Sequence, residues 1–210
     1  MRVRIYPLAL GKVIKHALMN LDREVAGLLV GKYLKKQDVL EVWDAITGDQ
    51  KSTSAFVYLQ EETMAATAEW LMRERPGLYI VGWYHTHPGF DVFLSSIDIE
   101  TQKRYQMMFP KAIAMVVDPV TYARTRKLRD LRVKAFRINR KGEISSLRIT
   151  IGIHRRKVIE STIQGMETVD LRYIRGGGEV EEAEIESSEP STTIGSVFKK
   201  IKKKFSPSGE

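Results

Sequence analysis

The stretch Leu78-Tyr79-Ile80-Val81-Gly82-Trp83-Tyr84-His85-Thr86-His87 leaves this chain little choice of conformation. β-Branched and aromatic side chains fill it, Pro76-Gly77 precedes it and Pro88-Gly89 follows it, so it reads as a strand held between turns. Side chains alternate along a strand, which puts Trp83, His85 and His87 on one face and Tyr84 and Thr86 on the other. A chain built round such a segment must make a sheet.

The flanking sequence says what kind. Met1 to Tyr6 alternates as a strand does. Pro7 permits a helix start, and Leu8, Leu10, Val13, Ile14, Ala17, Leu18 and Leu21 recur at helical spacing with Lys12, Lys15 and His16 on the polar face. Val25 to Gly31 suits a buried strand, Tyr33 to Lys36 a strand or turn, and Val39 to Ala45 another strand. Thr47 to Ser54 is polar and reads as an exposed loop, with Ala55 to Leu59 a short strand after it. A helix from Glu61 to Arg75 ends at Pro76-Gly77, and a second helix runs from Ser95 to Phe109. Lys111 to Val117, Leu131 to Ile138 and Ile144 to Ile153 complete the strands. Helices alternate with strands early and strands dominate later, which predicts an α+β domain with a mixed sheet flanked by helices. Met107, Met108 and Met115 read as core filler.

Beyond Ile174 the composition changes. Residues 175–193 hold three glycines, then glutamates, serines and Pro190, the pattern of a flexible acidic linker. Residues 194–210 form a basic tail in which Ile194, Val197, Phe198, Ile201 and Phe205 share one helical face among five lysines. Such a tail suits an acidic partner or an anionic membrane surface. The expected division is therefore a domain over 1–174, a linker and a tail.

The chain has no cysteine, which removes disulfides and thiolate chemistry and leaves His, Asp and Glu as strong metal ligands. A cytoplasmic location is expected, since the N-terminus has no apolar core of a secretory signal and no apolar run reaches the roughly 18 residues of a membrane span. Asparagine is confined to Asn20 and Asn139 while Lys, Arg and Glu abound, a bias that thermophilic proteins share. The net charge of +8 raises nucleic acid as a partner, but no aromatic ladder interleaves the basic clusters at 124–137, 155–157 and 199–204, so solvated faces explain them better.

Two imidazoles side by side on one strand face can share an ion, although a His-x-His pair by itself is commonly a coincidence. Downstream, Ser95 and Asp98 stand three apart at a helix start. Alone they make a capping box, Ser95 capping and Asp98 favouring the helix dipole. Beside His85 and His87, Asp98 instead completes a set of two imidazoles and one carboxylate, the three-ligand arrangement that zinc hydrolases use with a fourth position left for water. Glu24, at a helix-to-strand junction, can face a cleft as a base, but in isolation it is one of many glutamates.

Glu24-Val25-Ala26-Gly27-Leu28-Leu29-Val30-Gly31, then Gly82-Trp83-Tyr84-His85-Thr86-His87-Pro88-Gly89-Phe90 and Leu94-Ser95-Ser96-Ile97-Asp98, resembles the JAMM (MPN+) metalloprotease family. The flanks, Leu8-Ala9-Leu10, Lys15-His16 and Val116-Val117-Asp118-Pro119, resemble the proteasome-lid deubiquitinases within it. The likeness spans about residues 3–140 and leaves out the linker and tail. It implies a cytidine-deaminase-like α+β fold and one Zn²⁺ on His85, His87 and Asp98. It also implies that Glu24 takes a proton from the zinc water and passes it to the leaving amine, while Ser95 bonds the developing oxyanion. The implied substrate is an isopeptide between a ubiquitin or ubiquitin-like C-terminus and lysine, with a proteasome or another MPN subunit as an assembly partner. An insertion before the His-x-His strand pairs with the modifier tail in relatives; here Thr47, Gly48, Ser54, Ala55, Phe56, Val57 and Tyr58 occupy that place, an ordinary surface loop being the alternative. A sulfur-carrier or archaeal modifier conjugate, a small peptide, and a non-catalytic MPN scaffold are the rival readings. His16 and His154 read as surface side chains, and Asp91 as a spare carboxylate that the family pattern does not use as a ligand.

Overall fold

The computed structural model describes residues 1–52, 57–152 and 156–175. Strand β1 (Arg2–Ile5) leads into helix α1 (Pro7–Met19), β2 (Ala26–Leu34) and β3 (Val39–Gly48), followed by the short β4 (Gln50–Ser52) and β5 (Val57–Leu59). Helix α2 (Glu61–Glu74), β6 (Tyr79–Thr86), α3 (Ser96–Met108), β7 (Ile113–Asp118) and α4 (Val120–Thr125) come next. Strands β8 (Arg132–Ile138), β9 (Ile144–Leu147) and β10 (Ile149–Ile151), helix α5 (Arg156–Met166) and β11 (Arg172–Ile174) complete the described fold. The main sheet has the order β10-β1-β3-β2-β6-β7-β8-β9, and β11 pairs with the far end of β3. Parallel pairs (β1–β3, β6–β7) mix with antiparallel ones (β2–β3, β2–β6, β7–β8), and helices cover the sheet, as the sequence predicts.

The alternation along β6 decides how the layers assemble. Tyr84 enters the cluster formed with Val13 and Ile14 of α1, Met115 and Ile163, while Trp83 enters the opposite one with Leu28, Tyr105, Ala114 and Phe136. A third cluster sets Trp70 and Leu71 of α2 against Val30, Ile46 and Ile174. Burying both faces of β6 and β2 makes them a rigid floor, and the two strands run in opposite directions with Ala26 opposite His85. The start of β2 therefore lies beside the end of β6.

Several expectations need correction. Lys12 and His16 are buried, because partners wait for them across the helix–sheet interface: Lys12 Nζ donates to Asp44 at 2.7 Å and His16 Nδ1 lies 2.8 Å from the Tyr84 hydroxyl. Thr47 and Gly48 are buried at the end of β3 instead of in an exposed loop, and Gln50–Ser52 is a strand paired with β5. Met107 and Met108 are exposed, since the inward face of α3 is set by Asp98, Gln102 and Tyr105; only Met115 is core. The run from Ile144 to Ile153 breaks into two strands, β9 pairing β8 and β10 pairing β1 at the other end of the sheet. Helices α4 and α5 and strand β11 were not apparent in the sequence. His154, the acidic linker from Gly176 and the basic tail lie outside the described residues.

Candidate metal centre

The centre forms where β6 ends. The His87 amide donates to the Val117 carbonyl at 2.9 Å and the Thr86 amide to the Val25 carbonyl at 3.0 Å, while the Thr86 hydroxyl accepts from the Val25 amide at 3.0 Å. These three bonds continue the sheet one step past its ladder and tie Glu24 to the strand that carries the histidines. The turn that follows is held by buried Asp118, whose Oδ1 accepts from the Gly89 and Val120 amides at 3.0 and 3.1 Å. The chain then returns to start α3 over the histidines.

His85 Nε2 and His87 Nε2 lie 3.1 Å apart. Asp98 Oδ1 is 3.4 Å from His85 Nε2, Asp98 Oδ2 is 3.7 Å from His87 Nε2, and Glu24 Oε1 is 3.7 Å from His87 Nε2. All four side chains are buried. One ligand atom from each of His85, His87 and Asp98 falls within 4.8 Å of the others, which makes them a group able to hold a metal ion. The donor chemistry fits: two imidazole nitrogens and a carboxylate oxygen crowd together out of water, an arrangement that a divalent cation relieves and that zinc's N/O ligand preference matches.

Ser95 and Asp98 form the capping box that the spacing allows. Asp98 Oδ2 accepts from the Ser95 amide and hydroxyl, each at 2.7 Å, and the Ser95 oxygen accepts from the Asp98 amide at 3.3 Å. Oδ1 stays turned toward His85, so the cap and a ligand role use different oxygens. His87 has a partner for its other ring nitrogen: Nδ1 lies 3.2 Å from the Asp91 carbonyl, and a proton held there leaves Nε2 as the lone-pair donor. Asp91 thus serves through its backbone, its φ of 70° aiming the carbonyl, while its exposed side chain bonds the Val92 amide and faces Arg132. Sequence reasoning weighed only its carboxylate. A non-glycine residue after Pro-Gly carries no visible sign that its carbonyl points inward.

Burial and charge divide the two carboxyls. Burial, with the charge of Asp98 beside it, pushes Glu24 up to about 7, the range of a group that can both take and give a proton at neutral pH. Burial also pushes Asp98 up, but hydrogen bonds from His85 and Ser95 and the nearby His85 charge outweigh it and hold Asp98 down at about 2. Burial, reinforced by His85, lowers His87 to about 4, keeping its imidazole neutral and able to ligate.

The family-insertion residues fall in two groups. The Thr47 hydroxyl donates to the Ala26 carbonyl at 2.8 Å and Gly48 pairs with Ile174, so both are built into the sheet with no open face. Gln50 Oε1 accepts from the Ala26 amide at 2.8 Å, an anchor for β4 that the sequence did not reveal. Val57 and Tyr58 lie in β5, opposite Ser52 and Lys51, and Ser54, Ala55 and Phe56 are outside the described residues.

A family model described as JAB1/Mov34/MPN/PAD-1 ubiquitin protease matches residues 1–111, more than half of the 210-residue chain. The 26S proteasome regulatory subunit RPN11 of Eremothecium gossypii is 31% identical over 171 residues, 78% of this chain and 53% of the relative. The ubiquitin carboxyl-terminal hydrolase RPN11 of Saccharomyces cerevisiae is 35% identical over 119 residues, 56% of this chain and 39% of that protein. The chain thus spans about half the length, or less, of these curated relatives. Among solved structures, protein DSY2949 from Desulfitobacterium hafniense matches 75% of this chain and 97% of its own with a TM-score of 0.55 and 16% identity, a likeness of fold alone.

Proposed function

Because this chain belongs to the JAB1/Mov34/MPN/PAD-1 ubiquitin protease family, we propose that it is a zinc-dependent isopeptidase that frees ubiquitin or a ubiquitin-like modifier from lysine. One observation carries the reading: His85, His87 and Asp98 bring three ligand atoms within 4.8 Å of one another. The carboxylate of Glu24 adjoins them, 3.7 Å from His87. His85 Nε2, His87 Nε2 and Asp98 Oδ1 would hold the ion. A zinc ion held by these residues would supply Lewis acidity toward the scissile carbonyl and would acidify the attacking water to a pKa of about 7.

The chain's own residues do the rest. Glu24 accepts the proton of the attacking water at its carboxylate and delivers it to the lysine ε-amine as the carbon–nitrogen bond breaks, a transfer that its buried place beside the histidines suits. Ser95, whose hydroxyl donates to Asp98 Oδ2, would turn that hydrogen toward the oxyanion and so donate where charge develops. The β4–β5 hairpin, anchored by Gln50, offers strand-like backbone on which an extended Gly-Gly tail would add as a further strand. The proposal includes the division into a catalytic domain over 1–174, a linker and a tail, a cytoplasmic setting, and assembly with a proteasome or another subunit of the family. Among the described residues no helix is long and apolar enough to cross a membrane.

The test is cleavage of a ubiquitin–lysine isopeptide conjugate by zinc-loaded protein and by Glu24→Gln. The variant keeps the side-chain volume and removes the base. Its kcat is expected to fall by about 10²–10⁴-fold with zinc content unchanged. Equal activity in the two proteins contradicts the assigned role.

A further inference from the structure

His85 stands out among the ligands because Nδ1, the ring nitrogen turned away from the centre, is buried and has no hydrogen-bond partner among the described residues. A histidine that ligates a metal ordinarily donates its second N–H to a carbonyl or carboxylate, which fixes both the tautomer and the ring plane. His87 has such a partner in Asp91. For His85 no such partner at Nδ1 is found among the described residues.

An indole sits there instead. Trp83, two residues earlier on the same face of β6, stacks on His85 with ring centroids 4.6 Å apart and an interplanar angle of 15°. Its other neighbour is Tyr105 of α3, at 5.8 Å and 20°. Trp83 Nε1 donates to Gln102 Oε1 at 3.0 Å, and fully buried Gln102 donates in turn to the Ala112 carbonyl at 2.9 Å and to Gln106 at 2.8 Å. Gln102 and Tyr105 belong to the helix whose first turn carries Asp98. The stack therefore runs from a ligand on the strand to the helix that presents another ligand, and the indole is its spacer.

Resting on the zinc reading above, we propose that Trp83 is the positioning residue for His85, holding its ring plane by face-to-face stacking in place of the missing hydrogen bond, with Gln102 fixing the indole in turn. Stacking has a second consequence. An imidazole that shares charge with a cation becomes more electropositive, and the negative face of an indole favours it in that state. Phenylalanine offers a smaller face of the same kind, whereas leucine offers bulk and no face.

The experiment measures zinc affinity of metal-stripped full-length wild type, Trp83→Phe and Trp83→Leu by competition with a chelator, with cobalt(II) absorption of each loaded protein as the spectroscopic readout. Trp83→Leu should bind zinc about 10–100-fold more weakly and give an altered cobalt band, while Trp83→Phe restores most of the affinity. Thermal unfolding of the metal-free proteins shows whether each variant folds. Independently of any variant, the His85 ring protons in wild-type NMR spectra should resonate upfield, shifted by the indole ring current. Unshifted protons, or a folded Trp83→Leu protein with wild-type zinc affinity and an unchanged cobalt band, would overturn the proposal and leave the zinc reading standing. A wild type that takes up no zinc removes the zinc reading itself.

Discussion

Asp98 shows why a two-way choice posed by sequence need not be a choice in the fold. The Ser-x-x-Asp spacing supported a helix cap or a metal ligand, and in the fold Oδ2 takes the cap while Oδ1 faces His85, where the proposed ligand role would use it. His16 shows the opposite failure. Helical periodicity assigned it and Lys12 to the polar face, because the residues that receive them, Tyr84 and Asp44, lie 68 and 32 positions away and leave no trace in local pattern. A buried, hydrogen-bonded His16 has a testable consequence. Burial lowers its pKa from 6.5 to about 4, so between those pH values the unfolded chain binds the extra proton and the folded chain does not. Its contribution is complete above about pH 6.5 and is lost as pH falls toward 4, by up to about 3 kcal/mol at roughly 1.4 kcal/mol per pH unit. Urea unfolding at pH 7 and pH 4.5 should show wild type losing more stability than His16→Gln, which does not titrate; parallel losses would refute the assignment.

At the level of elements, strands and helices with strong periodicity were legible and their connections were not. Strand β6 was plain from its β-branched and aromatic run, and α3 from its cap. Strand β5 fell within the short strand expected over 55–59, but its partner β4 was hidden in a polar run read as a loop, and its anchor is a side-chain bond from Gln50 to the start of β2. Helix α5 was missed because its first residues read as a basic surface cluster. The joint between β6 and β7 makes a sharp prediction. Gly82 has φ of 156°, and a Cβ there would collide with the Ile113 carbonyl, a backbone atom of the paired strand that cannot swing aside. Gly82→Ala should therefore cost about 3 kcal/mol, read as a lowered urea midpoint with unchanged slope, and should weaken zinc uptake by displacing His85 three residues on. An alanine variant as stable as wild type would show that the strands are not packed this tightly.

For the molecule as a whole, the centre gathers residues spread from Glu24 to Asp98: the paired ends of β2 and β6 place Glu24, His85 and His87, and the first turn of α3 brings Asp98 over them. The proposed boundary after Ile174 follows from β11, whose pairing with β3 and contact with the α2 cluster close the described fold. A chain ending at Arg175 should melt within about 2 °C of the full-length protein, the shift expected for less than 1 kcal/mol at this size; a larger loss would place part of the fold's stability beyond that residue. The family likeness and the grouping of His85, His87 and Asp98 were readable because the motif residues are few and their spacing is fixed. The hydrogen bonds and stacking around them were not, since they depend on backbone carbonyls and on partners from other elements. The central claim is tested most directly by equilibrium zinc titration of the chelator-stripped protein. One ion per chain is expected, with stoichiometric binding lost in folded His87→Ala and Asp98→Ala; a protein that binds no zinc, or binds it equally well without those side chains, would contradict the account.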